Sequence, residues 1–197
     1  MSKVRIVHDQ YPQNPRENDN ICLMVCRHGR YQLGDTNAKQ ILAKALDVCA
    51  YEYDEIELVQ MAEKAGLIFA QSPVYLYDHG GITMSTTPFS CPFDSGQVGV
   101  ILVLKETLRQ DFNIKRFGKK VTERMMELAN KHIKSEVSAY DNYISGDIYR
   151  LEFLNKKGEV EDSIGGFYGD NVEINGMLDY VSPDLHQAVR ECDVTFI

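Results

Sequence analysis

Hydrophobic and polar positions alternate at two periods along this chain, and the switches between them divide it into short elements. Val4 and Ile6 alternate with polar Lys3 and Arg5 within residues 3–8, the period of a half-buried strand. Residues 9–20 are rich in proline, asparagine and aspartate and read as loop. Residues 21–27, with Cys22, Val25 and Cys26, read as a buried strand, and residues 28–35, with Gly29 and Gly34, as a second loop. The period then lengthens. Ile41, Leu42, Ala45, Leu46 and Cys49 predict a helix over 37–50 with Asp35 or Thr36 as its N-cap. Asp54 caps a second predicted helix, with Ile56, Val59, Ala62 and Ala65 on its apolar side and Gly66 as its stop.

Residues 73–105 read as two apolar strands around a loop dense in functional groups. Val98, Val100, Leu102 and Leu104 share one predicted face of the second strand, and Gly99, Ile101 and Val103 the other, so both faces need cover. A short helix is predicted over 106–112. The clearest helix spans 119–140. Its stripe is Val121, Met125, Leu128, His132 and Ile133, with Met125 and Leu128 expected in the core and Lys119, Lys120, Arg124, Lys131 and Lys134 in water. Residues 143–154 and 159–167 alternate around the turn Asn155-Lys156-Lys157-Gly158, which predicts a C-terminal β-hairpin. Ser182-Pro183-Asp184 opens a last short helix. Hairpins and helices without regular βαβ units predict an α+β fold: one domain over residues 1–197, a mixed or antiparallel sheet with helices packed on it.

Composition adds a compartment and excludes some partners. The 197 residues are 44% hydrophobic, enough for a globular core. No run reaches the ~18 apolar residues of a membrane span, and no apolar region follows the first residues as in a secretory signal. Five cysteines, an odd number, favour reduced thiols and a cytoplasmic location. The net charge of −8 argues against direct nucleic-acid binding. Residues 105–134 hold nine positive and four negative side chains, whereas 135–197 hold four positive and thirteen negative. Such runs are the mark of solvated faces. They also offer a surface for a basic partner, with Glu159, Glu161, Asp162, Asp170 and Glu173 as candidate binding residues.

The candidate catalytic residues are Asp78, His79, Cys91, Asp94 and Ser95. Ser95 precedes a glycine, but Phe93 stands where a hydrolase elbow needs its first glycine. Cys91 could be a nucleophile with His79 as base and Asp78 or Asp94 as orienter. The same residue types equally suit a turn that bonds its own backbone. Cys22, Cys26 and His28 would share one strand face, yet their spacing is not that of a zinc site, and no metal is expected. Neither a phosphate loop nor a dinucleotide fingerprint occurs, so no cofactor is expected. Tyr75, Tyr77, Phe89 and Phe93 flank the loop as core or stacking rings. Whether the chain is an enzyme stays open at this point.

Three blocks carry a resemblance. The first is Pro12-x-x-Pro15-Arg16-Glu17-Asn18-Asp19-Asn20, continued by Met24-Val25-Cys26-x-His28-x-Arg30-Tyr31-x-Leu33-Gly34-Asp35. The second is Tyr77-Asp78-His79-Gly80-Gly81-Ile82-Thr83-Met84-Ser85-Thr86, and the third Cys91-Pro92-Phe93-Asp94-Ser95-Gly96-Gln97-Val98-Gly99. Together they resemble a family of small proteins carried by bacteriophages and mobile elements. The resemblance implies a phage accessory protein that inhibits a host defence complex, of the CRISPR, restriction or a related kind, by protein–protein binding. It implies no catalytic residues. The alternative reading is a small hydrolase, or a nucleotide-processing or nucleotide-sequestering protein, using the Asp78/His79 and Asp94/Ser95 loops.

Overall fold

The computed structural model describes residues 3–115, 117–192 and 194–195, and their secondary structure is α+β. Its backbone contacts group into two compact units: residues 16–138, and the residues up to Pro15 together with those from Ala139. No helix among the described residues is long and apolar enough to cross a membrane.

The first of these units is built on four antiparallel strands: β2 (Leu23–Cys26), β3 (Ile68–Asp78), β4 (Ile82–Ser85) and β5 (Ser95–Leu104). β1 (Lys3–His8) belongs to the other unit. The order across the sheet is β2-β5-β3-β4, so β5 is an inner strand. Leu102 and Leu104 of β5 pack with Leu23 and Val25 of β2 and with residues of two helices, α1 (Ala38–Leu46) and α2 (Glu55–Lys64). Ile101 and Val103 point the other way and are also buried, so both faces of β5 are covered over residues 101–104 as the alternation predicts, while Val98, Gly99 and Val100 are only half-buried. Burying each such side chain contributes about 1.5–3 kcal/mol.

Both helices depart from expectation in detail. α1 ends at Leu46, because Asp47 turns left-handed at φ 57° and closes the helix before residue 50. Neither Asp35 nor Thr36 caps it; Asn37 stands at the N-cap without a side-chain bond. Asp54 does cap α2, in a reciprocal capping box with Glu57. The buried residues of α2 are Leu58 and Ala62, and Ile56 is 50% exposed. Steps of three residues fall short of a 3.6-residue turn, so the expected line through 56, 59, 62 and 65 winds off the buried face.

Gly99 marks a close approach of β5 to β2. A Cβ there would stand 2.0 Å from the Val25 carbonyl oxygen and 2.8 Å from the Cys26 Cα. Gly99→Ala is therefore expected to cost about 1–3 kcal/mol by overpacking. Gly96→Ala, on the same strand with open space around its Cβ, should stay within about half a kcal/mol. Urea titrations of both check this, and equal losses would sink it.

β5 leads directly into α3 (Lys105–Asp111), and α4 follows over Lys119–Ser145. Met125, Ala129, Ile133 and Val137 are buried on α4, whereas Leu128 and His132 are half-buried. The stripe thus follows i, i+4 steps one position off the expected line through Leu128 and His132. The side chains of Lys119, Lys120 and Val121 lie outside the described residues.

The second unit holds the sheet β7-β6-β1-β8, from β6 (Ile148–Leu154), β7 (Val160–Tyr168), β1 and β8 (Val194–Thr195). β8 runs parallel to β1 and the other pairs are antiparallel. Ile6, Tyr149, Leu151 and Phe167 form its core with Met177, Val181 and Val189, the last on α5 (His186–Arg190). α4 continues to Ser145, so the strand expected from 143 begins at Ile148. Asp9 ties this unit together: it accepts from Arg150 Nη2 at 2.9 Å, Tyr11 N at 3.2 Å and Gly166 N at 3.1 Å. A Cβ on Gly165 would reach within 2.3 Å of the Asp9 carboxylate, which accounts for a glycine there.

Candidate functional site

Register brings the candidate residues of the central loops together. Leu76 pairs with Gly96 and Tyr77 with Ser95, so the next residues, Asp78 and Asp94, face each other across β3 and β5. The Asp78 amide donates to the Asp94 carbonyl at 2.8 Å, and the His79 amide to the Gly81 carbonyl at 3.0 Å. Gly80 permits that turn at φ 71°.

The side chains then bind one another and the loop backbone. His79 Nδ1 lies 3.2 Å from Asp94 Oδ2, and the Cys91 thiol donates to that same oxygen at 3.5 Å. Ser95 Oγ donates to the Cys91 carbonyl at 2.5 Å. Asp78 accepts from Arg30 Nη2 and, at 3.4 Å, from the Tyr31 hydroxyl. Tyr31 stacks on His28 with ring centroids 5.0 Å apart, and the Arg30 guanidinium lies 5.4 Å from the Tyr31 centroid. Tyr77 contacts Phe89 and His79, while Phe93 is almost wholly exposed.

Chemically this is a chain with the carboxylate in the middle. The thiol meets Asp94, not the imidazole, and the Ser95 proton points to a backbone carbonyl. Neither nucleophile has His79 as its bonded base. Among the described residues no group of three or more His, Cys, Asp or Glu is placed to hold a metal ion. Cys22 lies buried, Cys26 half-buried, and His28 stacks on Tyr31.

The five acidic candidates divide into two groups. Glu159, Glu161 and Asp162 stand at the start of β7, an edge strand of its sheet, and Asp170 and Glu173 follow its far end, about 25 Å along a strand of that length. All five are exposed. Glu159 accepts from Asn155 Nδ2 at 2.9 Å, Asp162 from the Ser163 amide at 2.8 Å, and Glu173 from Arg190 Nε at 2.6 Å. The Arg190 bond holds the Glu173 carboxyl below its ordinary range.

The motif blocks hide a buried hub that residue patterns did not assign. Arg16 reaches both oxygens of Asp35 at 2.8 Å, Glu136 Oε2 at 2.8 Å and the Cys22 carbonyl at 2.7 Å. Asp35 Oδ2 also accepts from the Met24 amide at 2.7 Å, and Glu136 Oε1 from the Ile21 and Cys22 amides, each at 3.2 Å. Asp35 is therefore a clasp for the 16–24 loop and not a helix cap. Burial lowers the Arg16 pKa, but bonds and charge from Asp35 and then Glu136 outweigh it and hold the guanidinium above its ordinary value. The hub floors a cleft of about 660 Å³ whose lining includes Asp19, Asn37, Thr107 and Asp111.

Two thiols beside the hub titrate late. Burial, then the charge and hydrogen bond of Glu136, push Cys22 well up, and burial followed by Asp35 pushes Cys26 up to about 12. A thiol kept protonated in the fold, while the unfolded chain releases its proton, adds stability that is complete below about pH 9. That stability falls by about 1 kcal/mol per pH unit for each thiol as pH rises towards 12. The double variant Cys22→Ala/Cys26→Ala should therefore lose less stability between pH 8.5 and 11 than the parent, a window set by the usual thiol range. Parallel slopes in urea titrations would refute this.

Comparison with protein-family models, with curated proteins and with solved structures gives no match.

Proposed function

We propose that this chain is a non-catalytic binding protein: a phage-type accessory product that docks, through acidic surface, on a basic face of a host defence complex in the cytoplasm. The observation that supports this reading best is the use to which the central loop puts its functional groups. Ser95, Cys91, Asp94 and His79 are bonded to one another and to the loop, as side chains are when their work is to hold a turn. Meanwhile Glu159, Glu161 and Asp162 stand exposed at the start of an edge strand, where charge steers a partner and opposes sheet-to-sheet aggregation.

The hydrolase or nucleotide-processing alternative has one observation in its favour: Cys91, Asp94 and His79 form a continuous polar chain at one loop. Variants separate the two. On the binding reading, Asp94→Ala loses about 1 kcal/mol or less, because His79 and Asp94 are exposed enough for water to replace the lost bonds, and function falls only as far as folding does. Glu159→Gln/Glu161→Gln/Asp162→Asn keeps its melting temperature and loses about tenfold or more in protecting phage from a defence-carrying host, the scale of about 1.4 kcal/mol of binding. An intact fold with lost function in both Asp94→Ala and His79→Ala, beside full function in the acidic variant, would establish the catalytic reading instead.

A further inference from the structure

The apolar face of β5 outruns the helices that cover it. Leu102 and Leu104 lie under α1 and α2, but Val98 and Val100, on the same face, are only half-buried. Between them and α2 lies a cleft of about 470 Å³, within the range of small-ligand and side-chain pockets. Its apolar lining is Val25, Val59, Val98, Val100 and the half-exposed Ile56, with Gly99 contributing backbone alone.

The rim of this cleft offers acceptors. Glu55 and Glu63 line it, and the Gln71 amide nitrogen already donates to Glu63 at 3.0 Å. The Gln97 amide nitrogen donates to the Gly99 carbonyl at 3.2 Å, so both glutamines keep their amide oxygens for a ligand. Among the described residues of the lining the one cation is Arg27, which lies 3.8 Å from Asp54. Of the acidic side chains of α2 and its cap, Glu55 and Glu63 line the cleft, whereas Asp54 is paired with Arg27 and Glu57 accepts from the Asp54 amide in the capping box. Glu55 and Glu63 stand about 12 Å apart along the helix, at 1.5 Å per residue. A single small cation matches one of them; a chain with spaced cations matches both.

We infer that this cleft is a docking site for a partner protein segment that seats a large apolar side chain between α2 and β5 and sets flanking lysines or arginines against the α2 carboxylates. The inference concerns a different surface from the acidic β7 residues and stands without them. It is the groove-and-anchor mode of peptide recognition, in which the apolar residue supplies the affinity and the charges the orientation.

The test is a titration of the ¹⁵N-labelled full chain with a synthetic peptide of about 14 residues carrying leucine at helical spacing among lysines. Two control peptides replace leucine by serine, or lysine by glutamate. Expected are amide shifts confined to Ile56, Val59 and residues 97–100. Both controls and Ile56→Asp should bind about tenfold or more weakly, and Glu55→Lys/Glu63→Lys should do the same at low salt. Ile56 is half-exposed, so its variant should melt with the parent, and the double charge reversal supplies an independent check. The inference is overturned by absence of binding, by shifts spread over the C-terminal acidic residues, or by equal binding of the serine peptide. Equal occupancy by a small neutral apolar molecule such as indole, unaffected by the charge reversal, overturns it as well.

Discussion

Arg16→Met is expected to remove about 3–5 kcal/mol of stability, a large part of the 5–15 kcal/mol that holds an ordinary domain together. The arithmetic rests on what is left behind. Without the guanidinium, Asp35 and Glu136 face each other as buried like charges, and the Cys22 carbonyl loses its donor. Replacing a whole buried ion cluster by apolar residues is often harmless. Here it should not be. The two carboxylates also accept the amides of Ile21, Cys22 and Met24, and leucines in their place would strand three backbone donors. The triple variant Arg16→Met/Asp35→Leu/Glu136→Leu is therefore expected to be no more stable than Arg16→Met. Urea midpoints decide it: a loss below about 1 kcal/mol for Arg16→Met, or recovery in the triple variant, would show that the hub does not hold the loop.

The second large effect lies on α4. Met125→Ala should cost about 2–5 kcal/mol, the range for truncating a large buried side chain. Leu128→Ala should cost less than half as much, because Leu128 is half-buried and its loss opens a smaller cavity. Equal losses would return the buried stripe to the line that hydrophobicity alone suggests.

That reversal shows where pattern reading succeeds on this chain. Alternation placed β5 and both of its faces, because a two-residue period leaves a side chain one choice between two directions. The Asp54 cap of α2 was equally plain, while the reciprocal bond from Glu57 came with the structure. The buried faces of α2 and α4 were harder. Ile56 and Ile133 are equally apolar, yet one is half-exposed and the other buried, a difference that tertiary neighbours make and the helical period does not.

The loops were legible in part. Asp78, His79, Cys91, Asp94 and Ser95 were picked out for their chemistry, and the β3–β5 register does gather them, but into a self-bonded turn. Arg16 and Asp35 stood in plain view within the motif blocks. Their partner Glu136 lies 120 residues beyond Arg16, on a helix whose lysines and arginine read as solvated. No local period announces a pairing at that distance. The signal available was the density of charged residues in a loop that had no other reason to be specific.

The path of the chain through its two sheets has a consequence for synthesis. β1 pairs with β6, and Arg5 meets Glu152 across 147 residues of sequence. At ribosomal rates of about 5–20 residues per second, the strand waits roughly 7–30 s for its neighbour. Residues 16–138 hold all four strands of the other sheet and emerge within that interval. The nascent chain thus carries an unpaired β1 while the sheet of β2 to β5 closes. Val4, Ile6 and Val7 are the residues that a chaperone, or a wrong strand, meets first.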